Sequence, residues 1–308
     1  MSKLLLKTNK IGFLFSKVIR KLKFPIKVNT FFNDFRHKIV LKYIYKDYEN
    51  IIKKYAGFKD EKYSLKKTNK KIIWIFWWQG ISNAPVIVKM CIKSVIDNNK
   101  AATIIIIDKN NIKKYADLPN YIYEKVASGI ISLTQLSDIL RWNLLSNYGG
   151  LWMDSTLYNI RALPDYCFDN FFTAGPFSND KEHFNISCGK WTGFFIGGNS
   201  DNVFFEYMNE MFLVYWKHSK YLVDYFLIDY FIYIAYQKNI GNLRCLLRYR
   251  KENNICLFDL EKKINRVYDR NFFKSNKNTF VYKLSYKVKF KKGNTFFHEL
   301  EGNFLDGK

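Results

Sequence analysis

Two short stretches of the 308-residue chain bring together residue types that do chemistry: Ser137-Asp138-x-x-Arg141 and Gly149-Gly150-Leu151-Trp152-Met153-Asp154-Ser155-Thr156. Asp138 and Arg141 stand three residues apart, so on a helix they share a face. They flank leucines that belong in a core. An acid and an arginine beside a buried stripe must pair, bind something or reach solvent. The double glycine permits a tight turn and close backbone approach. Asp154 then falls at the carboxyl end of an apolar strand, where open α/β sheets present ligand-binding groups. Sugar transfer from a nucleoside diphosphate is a chemistry with such needs. Breaking a bond between a sugar and a nucleoside diphosphate builds negative charge on the leaving phosphate, and a hard divalent cation held by carboxylate and phosphate oxygens stabilises it. The sugar hydroxyls need oriented donors and acceptors, a task for an Asp/Arg pair. The base needs an aromatic shelf, and Trp74, Trp77 and Trp78 stand on or just after an earlier strand.

The elements that must position these residues are readable from the apolar pattern. KKIIWIFWWQG (70–80) and ATIIIID (102–108) are continuous apolar runs, too short for independent helices and rich in β-branched residues, which predicts buried parallel strands. Between them Asn83-Ala84-Pro85 opens a helix running to about Asn98. Strand, helix and strand within about 40 residues form a βαβ unit. Leu136, Ile139, Leu140, Leu144 and Leu145 follow helical spacing up to Gly149-Gly150, and residues 151–158 read as a third strand. Strand-like stretches recur at 171–175 and 191–198, and aromatic-rich helices at about 202–218 and 223–238. Residues 30–68 read as helical, with Gly57 a stop. The C-terminal third is mixed and basic.

Composition narrows the setting. Fifty Lys+Arg against 27 Asp+Glu give a net charge of +23, and 48% of the residues are apolar, so neither a disordered nor a collagen-like chain is in question. Residues 1–70 carry 19 Lys+Arg and 5 Asp+Glu, a net of +14, which leaves 23 − 14 = +9 for the rest. Leucine, isoleucine and phenylalanine interleave with those lysines at roughly helical spacing. This predicts a basic amphipathic segment that lies on an anionic bilayer or packs with a solvated lysine face. No nucleic-acid-binding signature accompanies the charge. Five widely spaced cysteines form no C-x-x-C pair and fit unpaired thiols in a reducing compartment. With no apolar run of ~18 residues and no signal-peptide pattern, the expectation is a cytoplasmic protein, peripheral on the inner face of the cell membrane.

With those residues in view, the segment resembles the capsular polysaccharide synthesis family of bacterial glycosyltransferases. That family is similar to the mannosyltransferases and glucosylating toxins that share an S-D-x-x-R…G-G-x-x-x-D-x-D pattern. Trp77-Trp78-Gln79-Gly80 with Asn83-Ala84-Pro85, Trp191-Thr192-Gly193-Phe194 and Phe226-Leu227-Ile228-Asp229-Tyr230 resemble further motifs of the family. The likeness covers roughly residues 70–240. It implies an α/β, GT-A-like single domain over 70–308 with a mostly parallel central sheet flanked by helices, preceded by a basic helical extension over 1–69. It implies a hexosyltransferase that moves a sugar from a nucleotide-sugar donor, a UDP-sugar by family expectation and with retention, to a lipid-linked oligosaccharide. By the same resemblance Asp138 and Arg141 hold the donor sugar, and Asp154 contacts the donor ribose or sugar and approaches the metal. Trp77, Trp78, Gln79, Gly80, Ser137, Gly150 and Ser155 surround the donor. Asp229 is either a solvated acid or a buried acceptor-binding base. The implied cofactor is Mn²⁺, with Mg²⁺ an alternative. Thr156 stands where the pattern has its second Asp and is a much weaker ligand for a hard dication, so the metal ligands would be Asp154, Thr156 and, from a distant C-terminal loop, His298. The same departure motivates the alternative of a non-catalytic member that binds a nucleotide sugar or scaffolds an assembly.

Overall fold

The computed structural model describes residues 25–56, 71–177, 180–275 and 278–306. The basic start at 1–24 and the expected stop at Gly57 lie outside the described residues. Two helices, α1 (Ile26–Asp47) and α2 (Glu49–Ala56), lead to β1 (Ile72–Phe76), α3 (Val86–Asn98) and β2 (Thr103–Ile107). Pro85 stands at the N-cap of α3, where its missing N–H costs nothing. The short α4 (Ile112–Tyr115) and α5 (Asn120–Ala127) precede α6 (Leu133–Tyr148), β3 (Gly150–Met153) and β4 (Leu157–Asn159). Then come β5 (Phe171–Thr173), β6 (Phe195–Gly198), α7 (Val203–His218), α8 (Leu227–Lys238), α9 (Leu243–Tyr249), α10 (Asp259–Lys263), α11 (Phe272–Ser275), β7 (Val281–Lys283) and α12 (Phe296–Leu305).

Five strands form the central sheet in the order β2-β1-β3-β6-β5. β1 pairs in parallel with β2 and β3, while β6 is antiparallel to both β3 and β5. Four of the five strands therefore run the same way, in a mixed α/β, GT-A-like single domain. Alternation sorts the side chains to two faces. Trp74, Phe76, Trp152 and Ile196 join one buried cluster with α6, α7 and α8. Ile73, Ile75, Leu151, Met153 and Phe195 join the other with α3, β7 and α12. With both faces covered, the strands must be apolar throughout, which is why they read as unbroken runs.

One expectation is corrected by the backbone. The predicted strand over 151–158 is two strands. Asp154 N–H donates to Phe194 O at 3.0 Å and Asp154 O accepts from Leu157 N at 3.0 Å, which turns the chain out of the central sheet. The second half, β4, pairs instead with β7 in a separate two-stranded sheet, Leu157 opposite Lys283. Over its described part, the extension before β1 packs on the rest of the domain. Val40, Tyr43, Ile44, Tyr48, Ile52 and Tyr55 sit in the same core cluster as α7 and α8.

The first half of α1 is polar where it faces the protein. Asn29 and Asn33 donate to the Glu182 side chain and to Glu182 O at 3.0 and 2.8 Å. Arg36 donates to Phe184 O. His37 lies 2.8 Å from His183 O through Nε2 and 2.7 Å from the Tyr230 hydroxyl through Nδ1. A carbonyl only accepts, so Nε2 carries the proton and Nδ1 accepts from Tyr230. Burial lowers the His37 pKa to about 4, consistent with that neutral ring. The outward face carries Phe31 and Phe35, 67% and 58% exposed, in line with the exposed Lys38 and Lys42.

Candidate functional site

The parallel strands end on one edge, and a cavity of about 700 Å³ opens there. That volume lies within the range of small-molecule and cofactor pockets. Asp138 and Arg141 reach it from α6. A capping box starts that helix, in which Gln135 N–H donates to the Ser132 side chain and the Gln135 side chain accepts from Ser132 N–H. Gly149, at φ +66°, turns the chain into β3. Asp154 follows β3 directly, and Trp77 and Trp78 follow β1. Ser137, Gln79, Ser155, Thr156 and Asp229 also line the cavity.

At the floor, Arg141 is 4% exposed and forks between two carboxylates, 2.9 Å from Asp138 Oδ1 and 3.4 Å from Asp154 Oδ1. Its guanidinium lies 5.0 Å from the centre of the Trp152 ring. Trp152 Nε1 donates to the same Asp154 Oδ1 at 3.0 Å. Asp154 Oδ2 accepts from Lys283 Nζ at 2.8 Å. Burial works to raise the Asp154 pKa, but Lys283 and then Arg141 outweigh it, and the carboxyl lies below its ordinary range. The other two acids go the opposite way. Burial, with Asp154 adding to it against Arg141, pushes Asp138 up to about 6. Burial pushes Asp229 up to about 7, against the bond it accepts from Trp191 Nε1 at 2.9 Å, with Asp138 adding repulsion. The site thus holds one committed anion and two carboxyls that change charge near neutral pH.

At the β1 end, Trp77 meets Tyr286 edge to face, ring centres 5.4 Å apart, and its Nε1 is buried without a hydrogen-bond partner among the described residues. The partly exposed Trp77 ring offers an aromatic surface that suits a nucleoside base. One wall is the segment that α1 holds, since Asp180, Asn185 and Ser187 line the cavity on either side of the clasped residues 182–184.

Three sequence expectations fall elsewhere. Gly80 and Gly150 are not cavity-lining residues. Gly150 pairs with Gly198 at the opposite end of β3 from Asp154. His298 belongs to the first turn of α12, where its N–H is capped by the Thr295 hydroxyl. Its side chain is 66% exposed, and its nearest acid is Glu301 at 4.0 Å. Lys283 was missed altogether. The signal was a lone lysine in the apolar run Phe280-Val281-Tyr282-Lys283-Leu284, inside a basic segment where one more lysine carries little information.

The donor set does not fit a hard dication. Both Asp154 oxygens are engaged, two cations already face that carboxylate, Thr156 is neutral and His298 is remote. No three His, Cys, Asp or Glu residues among the described residues form a metal-binding group. An additional dication would meet the repulsion of Arg141 and Lys283, which already occupy the Asp138 and Asp154 carboxylates.

Against this geometry, the family model described as "Capsular polysaccharide synthesis protein" matches residues 20–300. The chain belongs to that family. It is also similar to the protein named "Probable glycosyltransferase FCK3" from Fusarium pseudograminearum (strain CS3096), 28% identical over 163 residues. The match spans 49% of this chain and 40% of that relative's length. The membership extends to residue 20, ahead of β1, in keeping with the shared core of α1 and α2 with α7 and α8.

Proposed function

We propose that this family member is a glycosyltransferase that moves a hexose from a nucleotide sugar, a UDP-sugar, to a lipid-linked oligosaccharide during assembly of a surface polysaccharide. The observation that carries the reading is the Asp138–Arg141–Asp154 constellation on the floor of a cavity whose rim holds Trp77 and Trp78. The aromatic rim takes the base. Arg141, fixed between two carboxylates, fixes in turn the Asp138 and Asp154 oxygens that receive the donor's hydroxyls. Asp229, half-buried beside Trp191, borders the same space on the α8 side and is placed for the acceptor hydroxyl. No residue in this arrangement is required as a nucleophile. A front-face transfer, in which the departing phosphate takes the acceptor's proton, yields retention with these groups alone.

The lipid acceptor draws support from α1. Phe31 and Phe35 are exposed beside Lys38 and Lys42, a combination suited to an anionic bilayer surface. Among the described residues no helix is long and apolar enough to cross a membrane, so contact through this face is peripheral. The test is nucleoside-diphosphate release from a panel of UDP- and GDP-sugars by wild type beside Asp154→Ala. Release from one donor, lost in the variant while its melting curve is kept, is the expected result. Full activity in Asp154→Ala would overturn the site assignment.

A further inference from the structure

Lys283 has no role in the reading so far, although it makes the shortest bond to the central carboxylate. We infer that Lys283 supplies the positive charge that neutralises the donor's diphosphate in this protein, in place of a divalent metal. The inference rests on the glycosyltransferase reading above.

The backbone carries Lys283 to this place. β7 pairs with β4 so that Lys283 stands opposite Leu157, and Leu284 N–H donates to Thr156 O at 2.9 Å. The segment bearing the lysine is therefore laced to the residue where the sequence pattern would place a second acid. Where a neutral threonine removes a carboxylate, a neighbouring strand delivers an ammonium. Its Nζ lies 2.8 Å from Asp154 Oδ2 and 4.5 Å from the centre of the Phe194 ring, contacts that fix its position. An ammonium has three N–H donors, and among the described residues Asp154 is the one side chain that accepts from it. The side chain is 19% exposed and lines the cavity, so a phosphate oxygen can reach the remaining donors. A lysine is a compact point charge and an established partner of phosphates.

The step balances without a metal. The bond from the sugar's anomeric carbon to the β-phosphate oxygen breaks, and its electron pair leaves with the nucleoside diphosphate. A bond from the same carbon to the acceptor oxygen forms, and the acceptor's proton passes to a phosphate oxygen. Lys283 keeps its proton throughout and opposes the charge that grows on the leaving group.

The test is calorimetric titration of the full chain with UDP, GDP and the nucleosides uridine and guanosine, in excess chelator and then with Mn²⁺. Wild type, Lys283→Gln and Lys283→Arg are compared. One diphosphate should bind wild type in chelator, with Mn²⁺ changing its affinity less than twofold. Lys283→Gln should weaken that diphosphate at least tenfold and leave its nucleoside unchanged, and Lys283→Arg should restore most of the loss. Sugar-donor turnover in chelator should fall at least a hundredfold in Lys283→Gln. Binding that needs Mn²⁺ and is equal in wild type and Lys283→Gln would overturn the proposal and leave the transferase reading standing. Failure of wild type to bind either diphosphate under any condition would overturn both. Should Lys283→Gln fail to fold, wild type in chelator and Lys283→Arg decide the matter by the same criteria.

Discussion

Asp229→Asn should make the protein more stable, and by an amount that depends on pH. Asp229 carries a pKa raised from 3.8 to about 7, chiefly because burial penalises its charged form. The folded state therefore holds a proton that the unfolded state releases. The stability that this proton contributes is fully present below the unfolded value and is lost as pH rises through the folded one. The rise spans about three pH units at about 1.4 kcal/mol each, which sets a ceiling of about 4 kcal/mol above pH 8. The open cavity screens part of this, and the new amide brings a donor that needs a partner. The net gain should thus be roughly 2–4 kcal/mol. Asparagine keeps an oxygen for the Trp191 Nε1 bond, so the local geometry survives. Urea unfolding followed by tryptophan fluorescence, run on both proteins from pH 5 to pH 8.5, reads the difference directly. The gap between variant and wild type should widen by about 2–3 kcal/mol between pH 5 and pH 8. A gap that is flat or narrows with pH would refute the assignment of a buried, proton-holding carboxyl. The slope decides, because any fixed cost of the amide cancels in it.

Three further outcomes are expected. Asp138 titrates near 6 and must be ionised to hold Arg141. Donor turnover should therefore fall with a midpoint near pH 6 on the acid side, and Asp138→Asn should be slow at every pH and lack that limb in a pH–rate profile. Gly197→Ala would place a Cβ 2.3 Å from Gly150 O and 2.8 Å from Leu151 Cα, in the β3–β6 ladder that sets Asp154. It should cost at least ~2 kcal/mol, read as a drop in melting temperature. Phe31→Asp with Phe35→Asp changes two exposed side chains, so the circular dichroism spectrum should be unchanged, while co-sedimentation with vesicles of anionic phospholipid should fall at least tenfold. Equal binding would remove α1 from the membrane surface.

The parts of this architecture legible in the sequence are those whose cause is local. β1 and β2 are unbroken apolar runs because both sheet faces are covered, and Pro85 and Gly149-Gly150 mark boundaries by their own backbone restrictions. Asp138 and Arg141 were found through helical spacing. What was misread depends on partners far along the chain. The break at Asp154 is made by Phe194 and completed by β7, more than 120 residues away, and nothing between 151 and 158 announces it. Lys283 is invisible for the same reason, since its meaning comes from the carboxylate opposite it. His298 was read as lying on a loop, but Thr295 caps a helix there and turns the imidazole outward. The first half of α1 reads poorly as an amphipathic helix because its faces are inverted, with Asn29, Asn33, Arg36 and His37 inward and Phe31 and Phe35 outward.

The distribution of charge explains why the three site acids behave so differently although all lie against the same cavity. Each loses solvation on burial, and that alone would raise all three. Lys283 and Arg141 converge on Asp154, so it alone stays firmly ionised. Asp138 shares one of those cations, and Asp229 is bonded to an indole and to neither cation. An incoming diphosphate would meet a floor on which Asp138 and Asp154 are matched by Arg141 and Lys283, and on which the carboxyl at the α8 side, Asp229, holds its proton up to about neutral pH. Asp154 has no second carboxylate at position 156 with which to share a metal, and a cation stands in reach where a phosphate would need one. Thr156, read alone, looks like the loss of a ligand. With Lys283 opposite Leu157 and Leu284 bonded to Thr156, it is one half of an exchange of charge sign between adjoining strands, and the site's chemistry rests on both halves together.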